Sequence, residues 1–371
     1  MLFQAYLVAP LIPALAADFK ESASLVGLMV PAYTIPYGLS TLFYGPLSDR
    51  VGRKPVLLVL LGMMAIATIA LAFSSSAYVF LGIRVVMGIS TGGIVPIAIA
   101  LLGDLYPYEE RGKPIGLLYG AMAGGMTFGS TLGAYLNPLI GWRMEFIITG
   151  ILSGIVLLAA VCFRKLFTNR GALVSLPFTS IVSISHQLLT SKKGRPIYSY
   201  IFLNGMFHSG IFAWLGYYFG NRYHLNDRGI GLALLGYGLP GMLFGVTIGK
   251  AADKYGRKKM IPIGLLTGVI TVATLVFRFP LWIAGASVAF LSLGYDMTQP
   301  MFAGLVTTMG NSSSRGLAVG LSASMLFLGY GIGALVFQFL MQLGISTALL
   351  AFVGLELALL LGSRHFFKSF R

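Results

Sequence analysis

The stretch GPLSDRVGRKPV, residues 45–56, recurs in altered form as GKAADKYGRKKM, residues 249–260. In each copy, charged residues and glycines stand between two long apolar runs. The two aspartates of these copies, Asp49 and Asp253, are 204 residues apart, which is more than half of the chain. A motif that recurs at such a distance indicates an internal repeat. The sequence therefore predicts two similar halves, each with a charged turn at the same point.

The composition indicates that most of the chain lies in a lipid bilayer. Hydrophobic residues make up 57% of the 371 residues, charged residues make up 10%, and the mean hydropathy is +0.85. Soluble domains carry about 25% charged residues, so a soluble core could not contain this much apolar surface. The formal net charge of +15 is divided among short clusters between apolar runs, and we expect no nucleic acid partner. Cys162 is the single cysteine, which excludes a disulfide within the chain.

The apolar runs predict twelve membrane helices, because backbone groups in lipid must be hydrogen-bonded within their own segment. The predicted spans are 1–17, 24–46, 54–73, 77–102, 113–137, 142–163, 197–219, 228–250, 259–278, 281–306, 315–341 and 345–363. A cleaved signal peptide is the alternative for the first run, because residues 14–16 (Ala-Leu-Ala) resemble a cleavage site. We favour a membrane helix there, since the run lacks a positively charged start and another apolar run follows directly.

The fold class predicted from these spans is an all-α integral membrane protein with two six-helix bundles. The expected organisation is an N-terminal bundle (1–163), a cytoplasmic linker (164–196), a C-terminal bundle (197–363) and a cytoplasmic tail (364–371). Within the linker, polar residues at helical spacing predict an amphipathic helix that lies on the membrane surface; they are Ser175, Thr179, Ser183 and His186. A thirteenth span in the linker is the alternative, and it would invert the second half.

The distribution of Lys and Arg predicts the orientation in the membrane. When the even-numbered connections and the C-terminal tail are assigned to one face, that face carries 20 basic residues and the other carries five. The remaining basic residue, Arg84, lies within a span. Basic connections are typical of the cytoplasmic side. Both termini are therefore predicted to be cytoplasmic.

The first charged stretch closely resembles the cytoplasmic signature of the major facilitator superfamily, which joins the second and third helices. The second stretch resembles the weaker copy of that signature between helices eight and nine. Further matches follow in the order of this family: the fourth-helix pattern from Arg84 to Gly92, the acidic-Arg-Gly turn at 110–112 and the Trp-Arg pair at 142–143. The resemblance covers essentially the whole chain. It implies a cell-membrane transporter with the two-bundle fold of that family.

The two signatures are predicted to form a cytoplasmic gate. Gly45 would allow close backbone approach, and Gly52 would permit a tight turn. Asp49 would pair with a basic group and accept helix-end N–H bonds while the cytoplasmic side is closed. The alternative is that the basic residues only enforce topology. The predicted gate residues are Gly45, Asp49, Arg50, Gly52, Arg53, Lys54, Gly249, Asp253, Gly256, Arg257 and Lys258.

Charged residues inside the predicted spans are candidates for the transport pathway, because such residues are costly in lipid. The family resemblance implies that Arg84 takes part in proton coupling; the alternative is a buried Arg bonded to helix-end carbonyls. Asp296 precedes Pro300 by four residues, so the proline leaves the Asp296 carbonyl unbonded and weakens the helix. With Gln299 nearby, this segment is predicted to hold a ligand or a moving joint. Alternatively, Asp296 only bonds a neighbouring helix. Glu356 in the twelfth helix is a further candidate.

Two residue pairs are predicted to face the same pathway. Asn204 and His208 are four residues apart and share a face of the seventh helix. His208 could carry a proton, although a single His in a membrane helix is as often a helix–helix hydrogen bond. Tyr33 and Tyr37 flank Pro36 in the second helix and would either line the pathway or pack against other helices.

Small residues predict where helices cross closely. The expected packing glycines are Gly88, Gly92, Gly125, Gly129 and Gly133. The last three resemble the helix-five signature of exporters in this superfamily, which has Pro where Ser130 stands and Gly where Ala134 stands. The first helix contains Gln4 and no acid within its span, where many proton-driven multidrug exporters carry one. Both departures weaken the inference of antiport.

Together these features favour a proton-coupled exporter of small hydrophobic or amphipathic compounds that works by alternating access, similar to the twelve-helix drug:proton antiporters. A GxxxxGK[ST] loop is missing, so a gradient must drive transport. Proton-coupled uptake of a sugar or other small metabolite is one alternative, although the central spans contain few polar residues. A non-transporting membrane receptor or scaffold is another, although it would not need a repeated gate.

The expected partners are a small-molecule substrate, protons and the lipid bilayer, and we expect a monomer. HExxH, GxSxG and clustered His and Asp ligands are missing from the sequence. We therefore expect no enzymatic activity, no cofactor and no metal.

Overall fold

The computed structural model describes residues 1–106, 110, 112–163, 178–307, 309 and 315–366. Arg111, Ser175 and the tail from residue 367 onward lie outside these ranges. The described chain is helical almost throughout. Its helices are α1 (Leu2–Phe19), α2 (Ala23–Gly27), α3 (Pro31–Val51), α4 (Arg53–Ala72), α5 (Ala77–Thr91), α6 (Ile94–Leu105), α7 (Gly112–Cys162), α8 (Phe178–Thr190), α9 (Gly194–Tyr223), α10 (Asp227–Leu234), α11 (Leu239–Tyr255), α12 (Arg257–Val276), α13 (Leu281–Val306), α14 (Arg315–Met341) and α15 (Ile345–Phe366).

Within the ranges that the structure describes, twelve membrane helices are present, as the sequence predicts. Nine stretches of the described chain are long and apolar enough to cross a bilayer, judged by length and composition. One of them, 120–162, contains two helices, because Gly141 within α7 has a non-helical φ of 76° and ψ of 149°. The helices α9 and α13, with 30 and 26 residues, also exceed the length of a span.

Three of the membrane helices are each divided into two shorter helices. The breaks fall at residues 28–30 between α2 and α3, at 92–93 between α5 and α6, and at 235–238 between α10 and α11. The first helix of each pair begins on a polar residue whose side-chain oxygen accepts the N–H three residues later; these residues are Ser22, Ser76 and Asn226.

The two charged turns have the same backbone geometry. Gly52 follows α3 with a φ of 103°, and Gly256 follows α11 with a φ of 79°. Only glycine adopts such angles without strain, and the next helix begins at the following residue in both cases. The α3 helix continues to Val51, five residues beyond the predicted end, so Asp49 and Arg50 lie in its last turn.

We call the helix ends at Gly52 and Gly256 the signature side, and the opposite ends the far side. We call α1–α7 the first half and α9–α15 the second half. The helix α8 packs against α9 and α14 of the second half. It has 13 residues, and a span needs about 20, which argues against a thirteenth span in 178–190.

Buried apolar residues form one core shared by both halves in the middle and on the far side. That core contains Leu15 and Phe80 of the first half together with Trp214 and Phe337 of the second. On the signature side there are two separate cores instead. One consists of residues between 56 and 101, and the other of residues between 197 and 359, against which the partly buried Leu42 also packs. The halves therefore share one buried core on the far side, whereas on the signature side each half has its own core and Leu42 of α3 packs against that of the second half.

A gap follows from this division between α7 and α11. Six consecutive residues of α11, 242–247, are exposed. In α7, Leu117, Gly120 and Ala121, which lie toward the signature side, are exposed as well. The two helices approach each other only nearer the middle, where Gly238 lies against Thr127.

Two glycines of α7, Gly129 and Gly120, differ in how closely other residues approach them. A Cβ on Gly129 would overlap the carbonyl oxygen of Phe3 in α1, whereas a Cβ on Gly120 would meet nothing within 4 Å. We expect Gly129→Ala to destabilise the protein by about 1–3 kcal/mol, the usual cost of overpacking. The measurement is the midpoint of thermal unfolding in detergent, with Gly120→Ala as the matched control. Equal midpoints for the two variants would contradict the packing described here.

Candidate functional site

The first signature ties together three helix ends of the first half. Asp49 Oδ1 lies 3.6 Å from Arg53 Nη2 across the turn. Arg53 Nη1 also donates a hydrogen bond of 2.7 Å to the Ala100 carbonyl in α6. The ion pair is partly exposed and worth about 0–1 kcal/mol by itself, so its main effect is to fix α3, α4 and α6 relative to one another. Arg50 is exposed and Lys54 is half-buried at the same turn.

The second signature reaches α13 through Arg257. A Cβ on Gly304 of α13 would lie 2.9 Å from Arg257 Nη2, so the guanidinium rests on that helix. Lys258 is exposed, and the side chain of Asp253 lies outside the described part of the chain.

Gly45 does not mediate a close backbone approach in this conformation. A Cβ on Gly45 or on Gly249 would meet nothing within 4 Å. The predicted role of Gly45 in the gate stays a prediction.

Arg84 is completely buried between α1, α3 and α5. Its Nε donates to the Met29 carbonyl at 3.0 Å, and its Nη1 donates to the Gln4 carbonyl at 3.4 Å. The guanidinium carbon lies 4.4 Å from the centroid of the Tyr33 ring, within the range of a cation–π contact. These partners are neutral dipoles and a ring face, which is the helix-carbonyl arrangement that the sequence left open as an alternative.

The break in the second membrane helix supplies one of these acceptors. The Tyr33 N–H donates to the Val30 carbonyl at 3.1 Å, not to Met29. The Met29 carbonyl is therefore free to bind Arg84 of α5, which is 55 residues later in the sequence but adjacent in space. The fixed φ of Pro31 at the start of α3 suits this local geometry.

The predicted packing glycines bring helices of the first half into contact. A Cβ on Gly88 would overlap the Tyr33 carbonyl oxygen, and one on Gly92 would approach the Tyr37 carbonyl oxygen to 2.7 Å. In α7, a Cβ on Gly125 would lie 3.2 Å from the Phe3 nitrogen, and one on Gly133 would lie 2.6 Å from Leu7 Cδ1.

A polar contact joins α9 to α13 in the second half. Asn204 Nδ2 lies 3.2 Å from Thr298 Oγ1 and 3.5 Å from Gln299 Oε1. One turn further along α9, the ring of His208 packs edge-on against Tyr295, with 5.2 Å between the ring centroids. His208 is buried, and neither of its nitrogens has a hydrogen-bond partner among the described residues.

Aromatic side chains of both halves meet at the seam between them, in the middle of the molecule. Tyr37 of α3 stacks on Phe327 of α14, with ring centroids 3.7 Å apart. Tyr6 of α1 packs on Phe212 of α9 at 4.9 Å, and Phe212 packs on Tyr237 at 4.4 Å. Tyr33 and Tyr37, which the sequence analysis selected, thus belong to a larger group.

The other members of this aromatic group were missed by sequence reasoning. They are Tyr6, Phe212, Tyr237, Tyr295, Phe327 and Tyr330. The Tyr295 and Tyr330 hydroxyls share a hydrogen bond, and Phe327 packs on Tyr330 at 5.2 Å. Aromatic residues are common throughout the chain, so composition alone does not distinguish the ones that converge on the seam.

Asp296 of α13 lies beside the break between α10 and α11. Its Oδ2 accepts a hydrogen bond of 3.3 Å from Ser292 Oγ, and Ser292 Oγ accepts one of 2.9 Å from the Gly238 N–H. A Cβ on Gly241 would come within 2.7 Å of Asp296 Oδ1, so the carboxylate rests on the first turn of α11. A helix N-terminus favours negative charge. Asp296 therefore fastens the start of α11 to α13.

Two further acids are buried away from the aromatic group. Glu356 of α15 lies inside the second half, against Gly268 of α12 and Phe207 of α9. Glu145 of α7, which sequence reasoning missed, is buried in the first half. Both oxygens of each carboxylate lack a hydrogen-bond partner in the described part of the chain.

Polar contacts close the seam on the far side. Asn137 Nδ2 donates to Asp227 Oδ2 at 2.8 Å and joins α7 to α10. Gln338 Nε2 donates to the Ser24 carbonyl at 2.8 Å and joins α14 to α2. Both bonds connect the first half to the second.

In the ranges that the structure describes, no three His, Cys, Asp or Glu side chains lie together so that they could hold a metal ion. What the arrangement provides is a seam between two halves, closed on one side, open on the other and lined by aromatic rings and a few buried polar groups. Twelve membrane helices around such a seam define a membrane transporter.

The chain belongs to the Major Facilitator Superfamily, whose family model matches residues 1–247 and 197–369. It is a multi-pass membrane transporter for small molecules. The two matches overlap over residues 197–247 and together extend over residues 1–369.

Related proteins cover nearly the full length. The quinolone resistance protein NorA of Staphylococcus aureus (strain COL) is 23% identical over 359 residues, which are 95% of this chain and 90% of NorA. The class H tetracycline resistance protein of Pasteurella multocida is 27% identical over 349 residues, 92% of this chain and 86% of that protein. The crystal structure of a D-xylose-proton symporter has the same fold, with a TM-score of 0.79, 18% identity and coverage of 98% and 95% of the two chains.

The surroundings of Arg84 predict that Lys cannot replace it. A Lys ammonium lacks the planar fork that reaches two carbonyls and covers the Tyr33 ring. We expect Arg84→Lys to cost about 1–3 kcal/mol, because a buried acceptor loses its donor. The midpoint of thermal unfolding measures this effect, with Arg143→Lys as the control, since the Arg143 side chain is 48% exposed. A variant as stable as the control would show that the carbonyl contacts of Arg84 contribute little.

Proposed function

We propose that the protein is a proton-coupled exporter of small hydrophobic or amphipathic compounds that works by alternating access. The observation that carries this proposal is the seam, which has one continuous apolar core on the far side and two separate cores on the signature side. This is the arrangement expected of a transporter captured with one side open.

The side chains at the seam support an apolar substrate. Eight tyrosine and phenylalanine rings, contributed by both halves, offer flat surfaces and few free polar groups. The nearby amides of Asn204 and Gln299 bond to each other, so a sugar would first have to break that contact. The similarity to proteins named for quinolone and tetracycline resistance supports the same substrate class. These observations favour export of amphipathic compounds over uptake of a sugar.

Asp296 is the acid that we assign to proton coupling. As a carboxylate, it holds the start of α11 through Ser292 and the backbone of Gly241. A proton on Asp296 removes the charge that the helix N-terminus favours and thereby loosens α11 from α13. Because α11 borders the gap on the signature side, the proton changes how the two halves close there.

Arg84 is assigned a positioning role in the same cycle. Its hydrogen bonds connect the break between α2 and α3 to α5 and α1. The ring of Tyr33, which lies against Arg84, packs on Tyr37 of the aromatic group, with 6.0 Å between the ring centroids. A change in the positions of Tyr33 and Tyr37 during transport therefore alters the surroundings of the buried Arg84 guanidinium. His208, Asn204 and Gln299 line the second half of the same pathway.

The signature side is assigned to the cytoplasm. This orientation follows from the excess of Lys and Arg on that side and places both termini in the cytoplasm. The conformation described is then open to the cytoplasm, from which an exporter takes its substrate.

The proposal predicts the behaviour of Asp296 variants. In proteoliposomes with an imposed proton gradient, the wild-type protein should export a fluorescent lipophilic cation, and an uncoupler should abolish export. Asp296→Asn should lose at least tenfold of the gradient-driven rate, because the loss of one required acid stops proton exchange. Asp296→Glu should retain part of it.

The matched control is Glu21→Gln, which removes an exposed acid on the far side and should transport like the wild type. Gradient-driven export by Asp296→Asn at the wild-type rate would refute the assignment. Uptake of a labelled sugar driven by the same gradient would favour symport instead.

The orientation predicts which side a membrane-impermeant thiol reagent reaches. In a Cys162→Ser background, Lys54→Cys and Lys258→Cys should react in inside-out vesicles and stay unlabelled in intact cells. Ser75→Cys, on the exposed loop before α5, should show the opposite pattern. Labelling of the two signature positions from opposite sides would exclude the two-bundle arrangement.

A further inference from the structure

An open cavity of about 250 Å³ lies on the signature side, and the proposed transport cycle gives it no role. Leu189 of α8, Leu203 of α9 and Met325 of α14 contribute to its walls, so it lies between three helices. The guanidinium of Arg195 and the hydroxyl of Ser199, both on α9, belong to its lining as well. Pockets for drug-sized ligands usually measure about 300–1,000 Å³, so this cavity suits one segment of a longer molecule.

The lining of the cavity changes from basic to apolar along α9. This helix has 30 residues and is therefore about 45 Å long, which equals the thickness of a bilayer of about 40–45 Å including its headgroups. Arg195 is the second residue of α9 and thus lies at the depth of the headgroups on the signature side. Leu203 follows two turns later, about 12 Å deeper, at the depth of the acyl chains.

The cavity lies on the side of α9 that is turned away from the transport pathway. Ile201 is completely buried in the signature-side core of the second half, and Asn204 bonds to Thr298 of α13. At 3.6 residues per turn, Ser199 projects about 160° from Ile201 and about 140° from Asn204. Arg195 and Ser199 are both exposed. The cavity therefore opens away from the aromatic seam, on the face of α9 that lipid can reach.

The positive charge at the mouth of the cavity is not neutralised by neighbouring side chains. Lys192 and Lys193 precede Arg195 and are exposed as well. Within the described ranges, none of these three side chains has a hydrogen bond or an ion pair. The sequence contains no Asp or Glu between Glu145 and Asp227, and α14 contains none either. An anionic group is therefore the complementary ligand.

The deeper walls of the cavity fit a hydrocarbon chain. Leu189, Leu203 and Met325 are only partly buried in the structure, so a chain laid against them would remove further apolar surface from contact with water. The Tyr198 hydroxyl donates a hydrogen bond of 3.2 Å to the Ala318 carbonyl. Its donor is thus already used within the protein, and the walls at this depth offer mainly apolar surface.

We propose that this cavity binds one anionic phospholipid from the leaflet on the signature side. The lipid phosphate accepts hydrogen bonds from the Arg195 guanidinium, and the first part of one acyl chain lies against Leu203 and Met325. Basic pockets between membrane helices are a known means of recognising anionic headgroups. The bound lipid fills the space between α8 and the helices α9 and α14, and it thereby stabilises the docking of α8 on the second half.

The experiment compares two lipids on the purified full-length protein by native mass spectrometry. Protein in a neutral detergent is titrated with dioleoyl phosphatidylglycerol or with dioleoyl phosphatidylcholine, and the retained lipid molecules are counted. The wild-type protein should bind one molecule of phosphatidylglycerol at least fivefold more tightly than phosphatidylcholine. The midpoint of thermal unfolding should rise with phosphatidylglycerol, because a ligand that binds only the folded state stabilises it.

The variants test the headgroup and the chain separately. Arg195→Gln should weaken phosphatidylglycerol binding about fivefold, the usual contribution of one basic residue near an anionic headgroup, whereas Arg195→Lys should retain most of the binding. Ser199→Phe, which fills the cavity from its exposed side, should weaken binding with the charge unchanged. Lys259→Gln, the matched control, removes an exposed positive charge on the same side of the second half and should bind like the wild type.

Equal losses in Arg195→Gln and Lys259→Gln would show a general attraction to a basic surface and would overturn the proposal. Binding by Ser199→Phe at the wild-type strength would also overturn it, because the lipid would then lie elsewhere. Inorganic phosphate is the third arm. If phosphate alone raised the unfolding midpoint as much as phosphatidylglycerol does, the site would be one for a free anion and not for a lipid.

The readouts are independent of the proposed function, since they need neither a proton gradient nor a transported compound. Loss of proton-driven export in all conditions would refute the proposed function and leave the lipid site intact. Proton-driven export by a protein that does not distinguish the two lipids would refute the lipid site alone.

Discussion

The constraint on which the structure depends is that polar backbone groups have no water to bind inside a bilayer. Each break in a membrane helix frees such groups, and here each break is met by a side chain from a neighbouring helix. Arg84 binds the Met29 carbonyl at the first break. Thr41 binds the Gly92 carbonyl at the second, at 3.0 Å, and Ser292 accepts the Gly238 N–H at the third. The breaks are therefore the points at which helices are both weakest and most specifically connected. The first break lies beside Arg84, to which we assign a positioning role, and the third lies beside Asp296, to which we assign proton coupling.

The division of the apolar core explains why the repeated signatures are informative. Each signature fixes the helix ends of its own half, through Arg53 on α6 in the first half and Arg257 on α13 in the second. Two internally fixed halves can separate as units. On the far side, Asn137 and Gln338 make contacts between the halves instead. The two halves therefore contact each other on the far side of the molecule and have separate cores on its signature side.

Much of the fold could be predicted from the sequence, because it depends on local properties. Apolar length determines the twelve helices, and Gly52 and Gly256 mark turns that only glycine adopts easily. The site was harder to predict. Arg84 and Asp296 stand out as charges within apolar runs, whereas Glu145 lies only three residues after Trp142, close to the predicted start of a span, and its burial depends on packing against other helices. The aromatic contacts between halves depend on helix rotation, which one sequence does not reveal.

The exposed stretch of α11 at residues 242–247 has a consequence for how compounds reach the seam. The helices α3 and α14 remain packed as far as Gly38 and Leu328, whereas α7 and α11 diverge on the signature side. In a bilayer, the gap between α7 and α11 borders the fatty-acyl chains of one leaflet as well as the aqueous phase. A compound dissolved in the lipid can then move laterally from the leaflet to the aromatic rings without first entering water. Its concentration in the membrane, and not its solubility in water, would determine how often the seam is occupied.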